Sequence, residues 1–65
     1  KPFEAPDPEV EEGNRAYVDG RWDDALTHYR KASPQVDQGG LAYNRGTAKA
    51  GLGDVDGAIK DYDKA

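Results

Sequence analysis

The sequence predicts an all-α fold, four helices folded as two helix-turn-helix hairpins that stack on one another. Three observations predict it. The stretch "GRWDDALTHYRKA" at 20–32 returns as "GDVDGAIKDYDKA" at 53–65, so that Gly20, Asp23, Ala25, Tyr29, Lys31 and Ala32 reappear as Gly53, Asp56, Ala58, Tyr62, Lys64 and Ala65. Gly13 and Gly46 add a seventh identical pair at the same 33-residue interval, where chance would give about one or two. The apolar residues within each copy, Trp22, Ala25, Leu26, Tyr29 and Ala32, then Val55, Ala58, Ile59, Tyr62 and Ala65, recur at the spacing that lays one stripe along a helix. Finally, glycine or proline punctuates the chain at Gly20, Pro34 and Gly53, where helical segments end.

Taken in order, residues 1–6 carry two prolines and read as an extended arm. A first helix starts after Asp7, whose carboxylate caps the free amides. Pro8 takes the first helical position, and Glu9, Glu11 and Glu12 lie near the positive end of the dipole. It runs to about Asp19, and Gly20 supplies the left-handed residue beyond it. The second helix carries the Trp22 stripe and stops at Ser33, because Pro34 disfavours helical geometry in the residue before it. "SPQVDQGG" connects the hairpins, with Asp37 the expected cap of a third helix over about 38–52. Gly39 and Gly40 weaken its first turn, each by about 1 kcal/mol relative to alanine. Gly53 ends it, and Asp54 caps the fourth. The repeats thus cover about 7–33 and 38–65. A lone hairpin cannot bury its own apolar face, so duplication supplies the surface each copy hides.

Composition narrows the function classes. At 65 residues the chain is at most one small domain, of a size that buries only about 60% of its unfolded surface. There is no cysteine and one histidine, which excludes disulfides and argues against structural zinc. The net charge of −4 disfavours a nucleic-acid partner, and no apolar run reaches the roughly 18 residues a membrane span needs. No targeting segment is legible, which leaves cytoplasm and bacterial periplasm or envelope both open. A start at Lys1 instead of a methionine suggests a piece of a longer protein.

"GNRAYVDGRWDDALTHYRKA" at 13–32 and "YNRGTAKAGLGDVDGAIKDYDKA" at 43–65 resemble tetratricopeptide repeats. In that family a small residue sits mid-way along the first helix, a glycine lies between the helices, and Ala, an aromatic and Ala follow along the second. Gly13 and Gly46, Gly20 and Gly53, Ala25 and Ala58, Tyr29 and Tyr62, and Ala32 and Ala65 match those places in turn. The period of 33 is shorter than the usual ~34, Glu12 and Arg45 stand where leucine is common, and the closing proline comes early. Ankyrin repeats share the 33-residue period, but their "TPLHxA" signature is absent. The resemblance implies a short right-handed α-solenoid whose first helices line a concave groove for a peptide or protein. The apolar stripes, apart from the resemblance, give Trp22 and Ile59 packing roles. "GNRAY" after a Pro- and acid-rich arm is further similar to repeats of bacterial envelope-associated proteins, sometimes found beside von Willebrand type A domains.

That groove would be formed by Asp7, Val10, Glu11, Asn14, Tyr17 and Val18, continued by Gly40, Tyr43, Asn44, Thr47 and Ala50. Asparagines at 14 and 44 stand where family members clamp a peptide carboxylate, and an amide can bind backbone without bringing charge. Val10, however, occupies the place of the clamp's lysine. Trp22, Tyr29 and Tyr62 read as core rather than as an aromatic binding surface. "DVDG" at 54–57 lacks the ligand count of a calcium loop. His28 reads as solvated, and neighbouring aspartates such as Asp23 with Asp24 diverge on a helix. The acidic run 9–12 reads as a solvated helix start. The expectation is therefore a protein-interaction module without catalysis, cofactor or metal. The alternative is an assembly segment in which Ala58, Ile59, Tyr62 and Ala65 dock on another copy or on a further repeat.

Overall fold

The computed structural model describes residues 7–34, 36 and 38–65. Both the arm 1–6 and the expected cap Asp37 lie outside the described residues. The fold is all-α, with helices α1 (Pro8–Val18), α2 (Trp22–Arg30), α3 (Gln38–Gly51) and α4 (Val55–Lys64). α1 packs on α2, α3 on α4, and α2 on α3, so two helical hairpins stack in chain order.

The two hairpin turns repeat atom for atom in their hydrogen bonding. After α1, the amide of Gly20 donates to Tyr17 O at 3.1 Å and that of Arg21 to Ala16 O at 2.8 Å. After α3, Gly53 donates to Ala50 O at 3.0 Å and Asp54 to Lys49 O at 2.8 Å. This pair of bonds is the Schellman motif, which consumes the helix's last carbonyls only if the chain turns left-handed between them. Gly20 has φ 76° and Gly53 φ 89°, as that turn requires.

The entries to the helices are less alike. Asp54 accepts from Gly57 N at 2.9 Å and caps α4, whereas Arg21, its counterpart before α2, makes no side-chain cap. Its guanidinium instead bridges Asp24 and Asp19 in exposed ion pairs that contribute little. Asp7 caps α1 through Oδ1, accepting from Glu9 N at 2.8 Å and Val10 N at 3.4 Å. Its other oxygen accepts from Ser33 N at 2.8 Å, latching the start of the first hairpin to its end. This latch corrects the expected length of the second helix. α2 ends at Arg30, three residues before Ser33, because the amides of Lys31 and Ala32 tighten onto His28 O and Tyr29 O and that of Ser33 is held by Asp7. The glycine-weakened start of α3 is tied down by Gln38, whose amide donates to Pro34 O and Val36 O.

The core gathers Ala16, Ala25, Tyr29 and Leu41, with Val10, Tyr17, Ala32 and Val36 packed against it. Within each hairpin a glycine admits an aromatic ring. A Cβ on Gly13 would lie 2.5 Å from Tyr29 Cε1, and one on Gly46 would lie 2.7 Å from Tyr62 Cδ1. Trp22 wedges between the hairpins' turn ends. Its indole meets Tyr17 edge-on, at 5.7 Å between centroids and 81° between planes, and lies so close to Gly51 that a Cβ there would be 2.5 Å away. Ala25 and Ala58 are buried. Tyr62, expected in the core, and Ile59 and Ala65, expected in packing, are exposed, because the helix that covers α2 is α3, and no described element covers α4 on that side.

Candidate functional site

Between α1 and α3 lies a groove of about 380 Å³, lined by Val10, Asn14, Val36, Gly40, Leu41, Tyr43 and Asn44. None of these side chains is charged. The turn-by-turn spacing of α1 brings Val10 and Asn14 to one edge, and that of α3 brings Gly40, Tyr43 and Asn44 to the other. Glycine at position 40 leaves room at the α3 end.

Two of its lining side chains, Asn14 and Asn44, share a hydrogen-bond network with the buried phenol of Tyr29. Tyr29 Oη donates to Asn14 Oδ1 at 2.6 Å. Asn44 Nδ2 donates both to Asn14 Oδ1, at 3.2 Å, and to Tyr29 Oη, at 3.3 Å. Burial, only partly offset by the Asn44 bond, pushes the Tyr29 phenol above its ordinary 10.0, so it stays protonated and keeps its donor. The network spans three helices and fixes both amides. With Asn14 Oδ1 accepting twice, Asn14 presents its Nδ2 group and Asn44 its Oδ1 without a hydrogen bond among the described residues. Together they offer one donor and one acceptor, which is what a peptide backbone unit needs.

Five of the eleven groove candidates read from the sequence, Val10, Asn14, Gly40, Tyr43 and Asn44, line this cavity. Asp7, spent on the α1 cap and the Ser33 amide, and Glu11, Tyr17, Val18, Thr47 and Ala50 do not. Glu11 and Val18 border a shallower outer depression beside Asn14, Arg15 and Asp19, one turn around α1. Tyr17 is spent on Trp22 and the core. Thr47 Oγ1 meets Tyr62 Oη at 2.9 Å, in the second repeat's version of the Asn14–Tyr29 bond. Val36 and Leu41 were missed. Leu41 has as its counterpart Pro8, the first residue of α1, which the duplicated stripe does not include, and Val36 sits in a connector with no periodic pattern.

Polar contacts elsewhere also depart from expectation. His28, expected to be solvated, is half-buried with its Nδ1 at 2.8 Å from Glu9 Oε1, tying α1 to α2. Asp61 is buried, with Lys49 Nζ at 2.7 Å and Arg45 Nε at 3.7 Å. Burial alone would raise its carboxyl, but Lys49, with Arg45 and Lys64 behind it, holds it below the ordinary 3.8. One signal was available: Asp61 falls three residues after Ala58 and four before Ala65, on the side of α4 that turns inward.

Among the described residues no group of three or more His, Cys, Asp or Glu side chains is placed to hold a metal, and no helix is long and apolar enough to cross a membrane. Compared with protein-family models, with curated proteins and with solved structures, the chain gives no match.

Proposed function

We propose that this chain is a protein-interaction module of two tetratricopeptide-type repeats, which holds an extended peptide between α1 and α3 and catalyses no reaction. The uncharged groove carries the reading, because its lining sets the Asn14 amide donor and the Asn44 carbonyl acceptor side by side between apolar walls. A ligand that fits presents a backbone C=O and N–H to these amides and an apolar side chain to Val10, Val36 and Leu41. No lysine or arginine lines the groove, so an internal, uncharged segment suits it better than a terminal carboxylate does.

Amide shift mapping against a library of capped, uncharged peptides tests this. Binding is expected to move resonances of Asn14, Tyr43 and Asn44, and Asn44→Ala is expected to weaken it about fivefold, the worth of one hydrogen bond near 1 kcal/mol. Shifts confined to α2 and α4 would overturn it.

A second reading is self-assembly through α4, favoured by a comparison of matched positions. Leu26 and Tyr29 are 6% and 2% exposed beneath α3, while their counterparts Ile59 and Tyr62 are 54% and 39% exposed. Sedimentation across a concentration series separates the two readings. Dimers abolished by Tyr62→Asp support assembly, and a stable monomer at millimolar concentration removes it.

A further inference from the structure

A second cleft, of about 460 Å³, opens where α2, α3 and α4 meet, and it shares only Leu41 with the groove. Its chemistry is the reverse of the groove's. Arg30 reaches it from α2, Arg45 and Lys49 from α3, and Lys64 from α4, while Asp61 is the one carboxylate lining it. Four cations facing one anion leave a local excess of positive charge in a chain whose net charge is −4.

The arrangement is built rather than scattered. Asp61, 3% exposed, holds Lys49 Nζ at 2.7 Å and Arg45 Nε at 3.7 Å, which fixes two otherwise flexible cations against the floor. Fixing them beforehand removes part of the ordering cost a ligand would otherwise meet. Arg30 and Lys64 stand on the rims of opposite helices and make no ion pair among the described residues. Leu26, Tyr29 and Leu41 supply low-dielectric wall beside them, where a charge-assisted hydrogen bond is stronger than on open surface.

We propose that this cleft binds the oxyanion group of an acidic peptide, a carboxylate or a phosphate monoester, with Arg30 and Lys64 as the cations that close on it and Arg45 and Lys49 as the fixed pair beneath. The site adjoins the groove between α1 and α3 through Leu41 and through Tyr29, whose hydroxyl bonds Asn14 and Asn44, but its charged lining groups are its own.

The test is amide shift mapping of the whole chain, at about 20 mM salt, with a capped tri-glutamate peptide, a capped phosphoserine peptide and inorganic phosphate in parallel. At least one peptide is expected to move Arg30, Arg45, Lys49 and Asp61 together while leaving Asn14 and Asn44 in place. The stronger of the two peptides identifies the oxyanion. Arg30→Gln and Lys64→Gln are each expected to weaken binding about three- to tenfold. Both positions are exposed, so the variants should fold, and circular dichroism checks that they do. Lys60→Gln, outside the cleft, should leave binding unchanged. Binding by neither peptide, binding of inorganic phosphate alone, or affinity undiminished in the Arg30→Gln/Lys64→Gln double variant would each overturn the assignment.

Discussion

A Cβ on Gly13 would sit 2.5 Å from a ring carbon of Tyr29, and its counterpart on Gly46 would sit 2.7 Å from Tyr62. The two distances nearly match, but the rings differ in freedom. Tyr29 is buried and its hydroxyl is fastened to Asn14 and Asn44, whereas Tyr62 is part exposed and its hydroxyl meets Thr47 alone. Gly13→Ala should therefore destabilise the chain by about 1–3 kcal/mol through overpacking. Gly46→Ala should destabilise by less, since Tyr62 has an open side, but not become neutral, because its Cβ would also lie 3.1 Å from the backbone oxygen of Ala58. Urea denaturation of the pair measures the difference, and equal losses would show the Tyr62 ring to be as confined as Tyr29. Both glycines were legible in the sequence, because a duplicated small residue at a fixed interval marks a position with no space. The hydrogen bonds that hold the rings, Tyr29 to Asn14 and Asn44 and Tyr62 to Thr47, were not legible, since they join side chains from different helices.

At the scale of the element, the turns are the parts most completely specified by local sequence. Nothing lies within 4 Å of a Cβ built on Gly20 or Gly53, so a substitution there meets only the backbone penalty of positive φ. Gly20→Ala and Gly53→Ala should each cost about 1–2 kcal/mol, and D-alanine placed at either site by chemical synthesis should recover the loss. A loss that D-alanine fails to recover would mean that the turn is held by contacts instead of by its dihedral angle. The end of α2 was harder to read. Pro34 marks a boundary, but the helix already stops at Arg30 because the Asp7 carboxylate, 26 residues earlier in the chain, holds the Ser33 amide.

For the whole molecule, burial follows position in the stack rather than residue type. Leu26→Ala should cost about 2–5 kcal/mol, enough to unfold much of a domain this small, while Ile59→Ala should stay within about 0.5 kcal/mol. Similar losses in thermal melts of the two variants would place a cover over α4. Acid tests the stack's electrostatics. Asp7, held down chiefly by the Ser33 amide, and Asp61, whose burial is outweighed by Lys49 and Arg45, both titrate below their ordinary 3.8 in the folded chain. The folded state therefore binds their protons more weakly than the unfolded one does. Their contribution is fully present above the ordinary value and disappears as pH falls through the lowered ones. Melting temperature should be nearly level between about pH 7 and 5 and fall below about pH 4. Asp61→Asn should melt lower at neutral pH and show a shallower acid decline. An unchanged decline in that variant would locate the pH dependence elsewhere.

The sequence by itself determined the four helices, the two left-handed turns and the duplicated small residues Gly13 and Gly46, because each depends on residues near in the chain or on a pattern written twice. Only the tertiary structure decided which copy of that pattern is covered, how Asn14, Tyr29 and Asn44 share their hydrogen bonds, and how cations from three helices come to surround Asp61. Those outcomes depend on which helix lies against which. A repeat states the same local instructions in both hairpins, but of the matched helices α2 and α4 only α2 has, among the described elements, a helix of the other hairpin packed over it.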